Sequence, residues 1–186
     1  MKIRKKSVVN LLFILLIGMF FIPPVAHEAK ILLNRILAFS PDVVKTEERK
    51  EIKDFDWKLK DESWDFFNFN QSKGKVIFVH FWASWRVPSI AEAKSIQKLY
   101  DEYKGKVDFY LITNEEREPV IKFMEKNGHT FPVTYLIIGE KMPFDPEKVP
   151  STYIIDRDGF IAVEKFGVAN WYSTDVRDLL SDLIEN

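Results

Sequence analysis

Three side chains able to act in nucleophilic, acid–base or anion-binding chemistry lie close together in the stretch HFWASWRVPSIAE: His80, Arg86 and Ser89. A serine and a histidine can act as nucleophile and base if they lie within hydrogen-bond reach, if a third group orients the imidazole and if donors stabilise an oxyanion. The sequence gives no signal for the last two requirements. We therefore expect His80 to be a buried core histidine and not a catalytic base.

Arg86 has two interpretations. It precedes a segment that is typical of a helix with proline in its first turn, at Pro88. Unpaired N–H groups at a helix start bind anions, and an arginine beside them can clamp a carboxylate or a phosphate. Alternatively, Arg86 is a surface residue without a ligand, because a single arginine at a helix start carries little information.

The chain contains no cysteine, so it can form no disulfide, thiolate nucleophile or thiolate metal site. No metal and no other cofactor is predicted. Six of the 27 basic residues but only one of the 28 acidic residues fall within the first 40 positions. The remainder carries a net charge of about −6, which excludes nucleic acid as an expected partner because phosphate binding needs a concentrated basic face.

The N-terminus reads MKIRKKSVVNLLFILLIGMFFIPP, a basic start followed by an apolar stretch from Val8 to Ile22. Residues 1–26 are therefore interpreted as a membrane anchor or a cleaved signal segment. An uncleaved anchor is preferred, because Pro24 or His27 would occupy the third-last position before a cut, where a small residue is needed. The basic cluster keeps the N-terminus in the cytoplasm. This predicts a protein anchored in the cytoplasmic membrane, with its domain in the periplasm or extracytoplasmic space.

Residues 27–54 are predicted to form an amphipathic stem and a linker. The stretch KILLNRILAF has its apolar residues on a short helical pattern, with Lys30 and Arg35 among them. Such a helix can lie along lipid headgroups or pack on the domain, and the sequence leaves both possibilities open. Residues 40–53, SPDVVKTEERKEIK, are polar and charged, which indicates a linker or stem.

Two nearly continuous apolar runs, Val76–Trp82 and Val107–Thr113, predict central strands that are covered on both faces. Apolar residues recur between them at helical spacing, and Gly105 indicates the end of that helix. Together they form a strand, helix, strand unit.

The second half of the chain predicts a helix, a hairpin and a final helix. Pro119 suits the first turn of the second helix and Gly128 its end. The stretch TYIIDRDGFIAV places Asp-Gly between two β-rich runs, which is typical of a hairpin. The apolar stripe from Val176 to Ile184 predicts the last helix, with Ser173 or Thr174 as its cap.

Three stretches match one family in the same order: FWASWRVPSIAE, VPSTYIIDRDG and GVANW. From about Phe55 to Ile184 the chain resembles the TlpA/ResA-like branch of the thioredoxin superfamily, whose first motif reads approximately Phe-Trp-Ala-Ser/Thr-Trp-Cys-Pro-Pro-Cys-x-x-Glu. The resemblance implies an α/β thioredoxin-like fold for residues 55–186, with a central mixed sheet flanked by helices.

The chain departs from the family at the two positions whose cysteine sulfur atoms carry out the family's chemistry. Thiol–disulfide exchange needs an attacking thiolate and a resolving thiol, but Arg86 and Ser89 occupy these former redox positions. The resemblance also implies a cis-proline at Pro150 and an exposed aromatic at Trp85, whereas Trp82 is expected in the core. The peptide groove that it implies is bordered by Trp85, Val87, Pro88, Val149, Pro150 and Ser151.

The resulting functional hypothesis is a membrane-anchored, envelope-facing module that is not catalytic and binds protein or peptide through this groove. Two alternatives stay open. The chain could act in redox homeostasis as a thiol-disulfide oxidoreductase family member that uses the cysteines of a partner. It could also be an enzyme that has recruited Arg86, Ser89 and His80 for chemistry without thiols.

Overall fold

The computed structural model describes residues 22–185 and, before them, Lys6, Asn10, Ile14 and Gly18. The predicted anchor, residues 1–26, lies mostly outside the described residues and stays a prediction. Within the described part of the chain, no helix combines the length and the apolar character that crossing a bilayer requires.

A seven-stranded mixed sheet forms the centre of the molecule, in the order β2-β1-β5-β4-β3-β6-β7. Strand β3 pairs in parallel with β4, which pairs in parallel with β5, and the other pairings are antiparallel. The strands are β1 (Lys58–Lys60), β2 (Phe66–Asn68), β3 (Ile77–Phe81), β4 (Asp108–Thr113), β5 (Val133–Leu136), β6 (Ser151–Ile155) and β7 (Ile161–Phe166). The predicted α/β class with a mixed sheet is confirmed.

In the range 22–185, four α-helices accompany the sheet, and their ends follow the local sequence. They are α1 (Pro23–Ile36), α2 (Val87–Tyr103), α3 (Arg117–Asn127) and α4 (Thr174–Glu185). Pro88 lies in the first turn of α2, where a missing N–H costs no hydrogen bond. Gly128 ends α3 in the left-handed conformation, with φ of 65°. The Val176 N–H donates to Ser173 Oγ at 3.4 Å, so Ser173 caps α4. These predicted helix ends are confirmed.

The two faces of the sheet are covered differently. One core cluster takes apolar side chains from α2, α3 and α4, including Leu99, Val120 and Leu180. The cluster on the opposite face contains no residue of α1 to α4 and is built largely from aromatic side chains of strands and loops. Phe144 belongs to this second cluster and packs against Tyr153, with the two rings tilted and their centroids 4.7 Å apart.

The predicted stem packs on the domain, but only with one side. Ile31 of α1 is buried, and Arg35 Nε donates to the Ala91 carbonyl of α2 at 3.3 Å. Five large apolar side chains of the same segment remain exposed: Leu32, Leu33, Ile36, Leu37 and Phe39. Packing on the domain therefore uses less than the full apolar surface of the stem.

The charged segment 40–53 is attached to the hairpin formed by β6 and β7. The Val44 N–H donates to the Ala162 carbonyl at 2.8 Å, and the Ile161 N–H donates to the Lys50 carbonyl at 2.9 Å. Arg49 also forms an ion pair with Asp156 at 3.0 Å. These contacts make the segment part of the folded unit, which its polar composition does not indicate.

Candidate functional site

The candidate site lies where strand β3 leads into α2, beside the start of β6. The two strands are antiparallel, and Phe81 pairs with Ser151, so the end of β3 meets the start of β6. The Val149–Pro150 peptide bond is cis, as the resemblance implies. The loop after β3 and the loop before β6 are therefore adjacent, at the place where the resemblance implies a peptide groove.

Only part of the predicted groove is accessible. Trp85 is 65% exposed, and Val87 and Val149 are half-buried. Pro88 is also half-buried, whereas Pro150 and Ser151 are buried, and the Ser151 hydroxyl donates to the Lys148 carbonyl. A ligand in this groove would meet Trp85, Val87, Pro88 and Val149. Trp82, in contrast, is buried against Phe123 and Phe131, as expected for a core residue.

Arg86 is bonded to the groove of its own chain. Its Nη1 donates to the Val149 carbonyl at 3.0 Å, and its guanidinium lies over the Trp85 ring, 5.1 Å from the centroid. The side chain thus connects the start of α2 with the residue before the cis-proline. Neither interpretation from the sequence anticipates this contact, since the guanidinium binds a backbone carbonyl and not an added anion.

Ser89 has a structural partner. Its side chain is buried, and Ser89 Oγ accepts the Ala83 N–H at 3.3 Å. His80 directs Nδ1 at Thr152 Oγ1, 2.8 Å away, and Nε2 at Glu92. The hydrogen bonds of Ser89 and His80 are therefore made to other residues, and this arrangement gives no support to a serine–histidine dyad.

His80 and Glu92 form a buried pair that burial holds uncharged. Desolvation lowers the pKa of His80 to about 3 and raises the pKa of Glu92 to about 8. The distance from His80 Nε2 to Glu92 Oε1 is 3.8 Å, too long for a direct hydrogen bond. Between these two pKa values the imidazole is neutral and the carboxyl is protonated, so the pair is not an ion pair at neutral pH.

Sequence reasoning did not assign a role to Glu92. Its Oε2 accepts hydrogen bonds from the Trp171 Nε1–H at 2.7 Å and from the Ala169 N–H at 3.1 Å. It therefore attaches α2 to the turn before α4. One sequence signal could have indicated this role. Glu92 lies on the face of α2 that carries Ala93 and Ile96, and a charged residue on a core-facing side needs buried partners.

Glu115 is a second residue that the sequence did not indicate. Its carboxylate accepts the Ser84 N–H and the Ser84 Oγ–H, each at 2.7 Å, and so holds the loop between β3 and α2. Replacing Glu115 with alanine is expected to lower the free energy of unfolding by about 1–3 kcal/mol, because the Ser84 amide loses its acceptor. Urea denaturation measures this loss.

The neighbouring variant Glu116→Ala is the control, because this exposed side chain makes no capping hydrogen bond to α3. We expect it to change the free energy of unfolding by less than about 0.5 kcal/mol. Equal losses in the two variants would contradict the assigned role of Glu115.

The sequence matches a protein family over most of the folded region. The AhpC/TSA family model matches residues 49–164, more than half of the chain. The thioredoxin-like protein YneN of Bacillus subtilis is 27% identical over 132 residues, which cover 69% of this chain and 76% of YneN. The thiol-disulfide oxidoreductase ResA of Oceanobacillus iheyensis is 36% identical over 92 residues, 48% of each chain. The matched region spans about half of that ResA sequence.

Solved structures agree with the fold. The secreted thiol-disulfide isomerase of Corynebacterium glutamicum superposes with a TM-score of 0.63 at 16% identity and covers 78% of this chain and 92% of its own. A DsbF homologue from Corynebacterium diphtheriae gives a TM-score of 0.60 at 16% identity, with 79% and 93% covered. At such identity these structures show the thioredoxin-like fold alone. The chain therefore belongs to the AhpC/TSA family, in the TlpA/ResA-like branch, with arginine and serine at the two cysteine positions.

Proposed function

We propose that the protein is a noncatalytic module that binds protein or peptide, anchored by its N-terminal segment on the extracytoplasmic side of the membrane. The observation that carries this proposal is Trp85, a tryptophan 65% exposed beside a cis-proline loop in a chain without thiols. Exposed tryptophans are typical contact residues of interfaces.

The chain cannot perform thiol–disulfide exchange with its own atoms. The reaction requires a sulfur nucleophile, and the sequence contains no cysteine. Arg86 carries a permanent cation at the start of α2, and Ser89 offers a buried hydroxyl engaged with the Ala83 amide. Binding a peptide in the groove, in contrast, requires no cysteine.

The Arg86 side chain competes with an incoming peptide. An extended peptide in the groove would pair with the backbone of Val149, but Arg86 Nη1 already occupies the carbonyl of that residue. Because the guanidinium belongs to an exposed side chain, it can be displaced by rotation. We therefore infer that Arg86 reduces affinity for extended peptides and that Trp85 provides the principal side-chain contact.

The test uses a peptide selected from a random-peptide library on the natural protein and synthesised as a fluorescent probe. Trp85→Ala is expected to weaken binding roughly tenfold, which is the effect of losing one interface tryptophan contact of moderate strength. Arg86→Ala is expected to strengthen it, because the Val149 carbonyl becomes free. Fluorescence anisotropy measures both changes.

Phe66→Ala is the matched control, since Phe66 is 70% exposed on β2, away from the groove. It should leave the affinity unchanged. Selected peptides that bind Trp85→Ala as tightly as the natural protein would refute the groove as the binding site. Insulin reduction above a blank without protein would refute the noncatalytic assignment and favour action through the cysteines of a partner.

The proposed anchor has its own test. We expect the protein to fractionate with the cytoplasmic membrane and to retain Met1 or Lys2 at its mature N-terminus, because the candidate cleavage sites lack small residues at the third-last position. N-terminal sequencing of protein from washed membranes measures this. A mature chain that begins near His27 or Lys30 would show that the segment is a removed signal.

A further inference from the structure

Helix α1 presents an apolar face that the rest of the domain does not cover. The described residues include 14 exposed large hydrophobic side chains, and five of these lie within the eight positions from 32 to 39. Each of the five is between 52% and 72% exposed. Four of these side chains share one side of the helix, at positions 32, 33, 36 and 37, because helical residues three and four positions apart are neighbours. Ile31 lies on the opposite side, against α2.

A cationic cleft of about 290 Å³ adjoins this helix. It lies between α1, α2 and the turn before α4, and its three charged lining residues are Arg35, Lys94 and Lys98. Among the residues that the structure describes, no carboxylate lines this cleft. The Lys98 ammonium lies 5.5 Å from the centre of the Tyr172 ring, which directs it along this wall. The cleft is therefore a concentration of positive charge on a domain that is acidic as a whole.

We propose that the exposed face of α1 rests on the membrane surface and that the cleft receives the phosphate of an anionic phospholipid. This proposal depends on the anchored location proposed above. In sequence, α1 directly follows the apolar stretch of the anchor, which would place the start of the helix at the bilayer surface. This arrangement matches a lipid surface: the apolar side chains would contact the acyl chains, and the basic groups beside the helix would contact the phosphate headgroups.

The charge distribution favours an anionic lipid over a second copy of the chain. A domain with a net charge of about −6 is repelled by an anionic bilayer unless cations concentrate at the contact, as they do in this cleft. A twofold dimer through the exposed face of α1 would instead leave the cationic cleft, which lies on the α2 side of the helix, without an anionic partner. The long lysine side chains can reach lipid phosphate while their stems lie along the apolar boundary.

The absence of cysteine makes a direct test possible, because one introduced cysteine gives a single labelling site. The full chain carrying Leu33→Cys is spin-labelled and reconstituted in vesicles of phosphatidylcholine or of phosphatidylcholine mixed with phosphatidylglycerol. Accessibility of the label to oxygen and to a water-soluble nickel complex is measured by electron paramagnetic resonance. Ile138→Cys is the matched control, since Ile138 is 96% exposed in the loop after β5.

We expect the label at position 33 to be protected from nickel in the mixed vesicles and the label at position 138 to stay accessible in both. Adding Lys94→Gln and Lys98→Gln should reduce the ratio of protected to accessible label about tenfold, because each basic group near an anionic surface contributes several-fold. The pair Lys73→Gln and Lys106→Gln removes two exposed lysines elsewhere and should leave the ratio unchanged.

The possible results separate this proposal from the anchor. A chain that floats with neither kind of vesicle overturns the anchor and the lipid contact together. A chain that floats, but whose label at position 33 stays accessible to nickel, overturns the lipid contact alone. Equal protection in the two kinds of vesicle overturns the anionic lipid assignment. Spin–spin broadening between labels, if it persists at low protein density, would identify a second copy as the occupant and overturn the proposal.

Discussion

Replacing both Arg86 and Ser89 with cysteine is expected to give a protein that closes a disulfide between these positions and gains weak disulfide reductase activity. The two residues are the N-cap of α2 and a residue in its first turn, on the loop beside the cis-proline. The helix N-terminus would stabilise a thiolate at position 86 and hold its pKa below the free value of about 8.5. Activity would rise from none to measurable turnover.

The local environment of each position supports this expectation. Ser89 is buried and already accepts the Ala83 amide, so a sulfur of similar shape there would be held in place. Removing Arg86 loses its bond to the Val149 carbonyl but also removes a cation from the positive end of α2, a gain of about 0.3–1 kcal/mol for an exposed side chain. Val87, where relatives often have proline or glycine, is expected to leave the reaction slower than in those relatives.

The measurements are a thiol count before and after oxidation, insulin reduction, and the pH dependence of alkylation at position 86. The single variants Arg86→Cys and Ser89→Cys are the controls, because neither can close an intramolecular bond. If the double variant folds but keeps two free thiols, or if the cysteine introduced at position 86 titrates as a free thiol, the geometry of the site differs from that of redox-active relatives.

Stability is expected to vary with pH in a way set by the buried pair His80 and Glu92. The pKa of Glu92 is raised to about 8 in the folded state, so folding favours its protonated form and stability falls as pH rises from its unfolded pKa through 8. The pKa of His80 is lowered to about 3, so folding favours its neutral form and stability falls as pH drops from 6.5 towards 3.

The unfolded-state pKa values of the two groups are 4.5 for Glu92 and 6.5 for His80. Between these two pH values, their effects on the free energy of unfolding oppose each other. The unfolded chain releases a proton from Glu92 and takes one up on His80, so the net uptake is near zero and stability is flat. Above pH 6.5 only Glu92 contributes. The free energy of unfolding should then fall by up to about 1.4 kcal/mol per pH unit until pH approaches 8.

Glu92→Gln isolates this alkaline loss. The amide oxygen can accept from Trp171 and Ala169 as the carboxyl does, but the side chain does not titrate. We expect the variant to keep its stability between pH 6.5 and 8, where the natural protein loses about 2 kcal/mol. Glu118→Gln, on the exposed face of α3, should follow the natural profile. Parallel curves for all three proteins in urea denaturation would refute the buried neutral carboxyl.

Long apolar runs and their end signals made most of the fold predictable. Strands β3 and β4 are buried on both faces, so nearly every residue in them is apolar, and Gly128 and Ser173 mark helix ends through local chemistry. Strands β1, β2 and β5 were missed. They have three or four residues each, and β1 reads Lys-Leu-Lys, so their pairing depends on neighbouring strands more than on any pattern of their own.

The candidate site was predictable only where a motif fixed the backbone. The frame around Pro88 and Pro150 indicated which loops meet, and the structure has the cis bond there. The partners of side chains were not readable, since they lie far away in sequence. Glu92 meets Trp171, 79 positions later, and Arg86 meets Val149, 63 positions later. Such contacts arise from the packing of α2 against distant turns, which no local spacing encodes.

The attachment of segment 40–53 to β7 also protects the molecule from self-association. Strand β7 is the last strand on its side of the sheet, and an unpaired strand edge is a template for pairing with another chain. The bonds from Val44 to Ala162 and from Ile161 to Lys50 occupy that edge. A fragment cut at Phe55, where the family resemblance begins, would lose this cover and present an open edge. What composition describes as a linker is therefore an element that covers one of the two edges of the sheet.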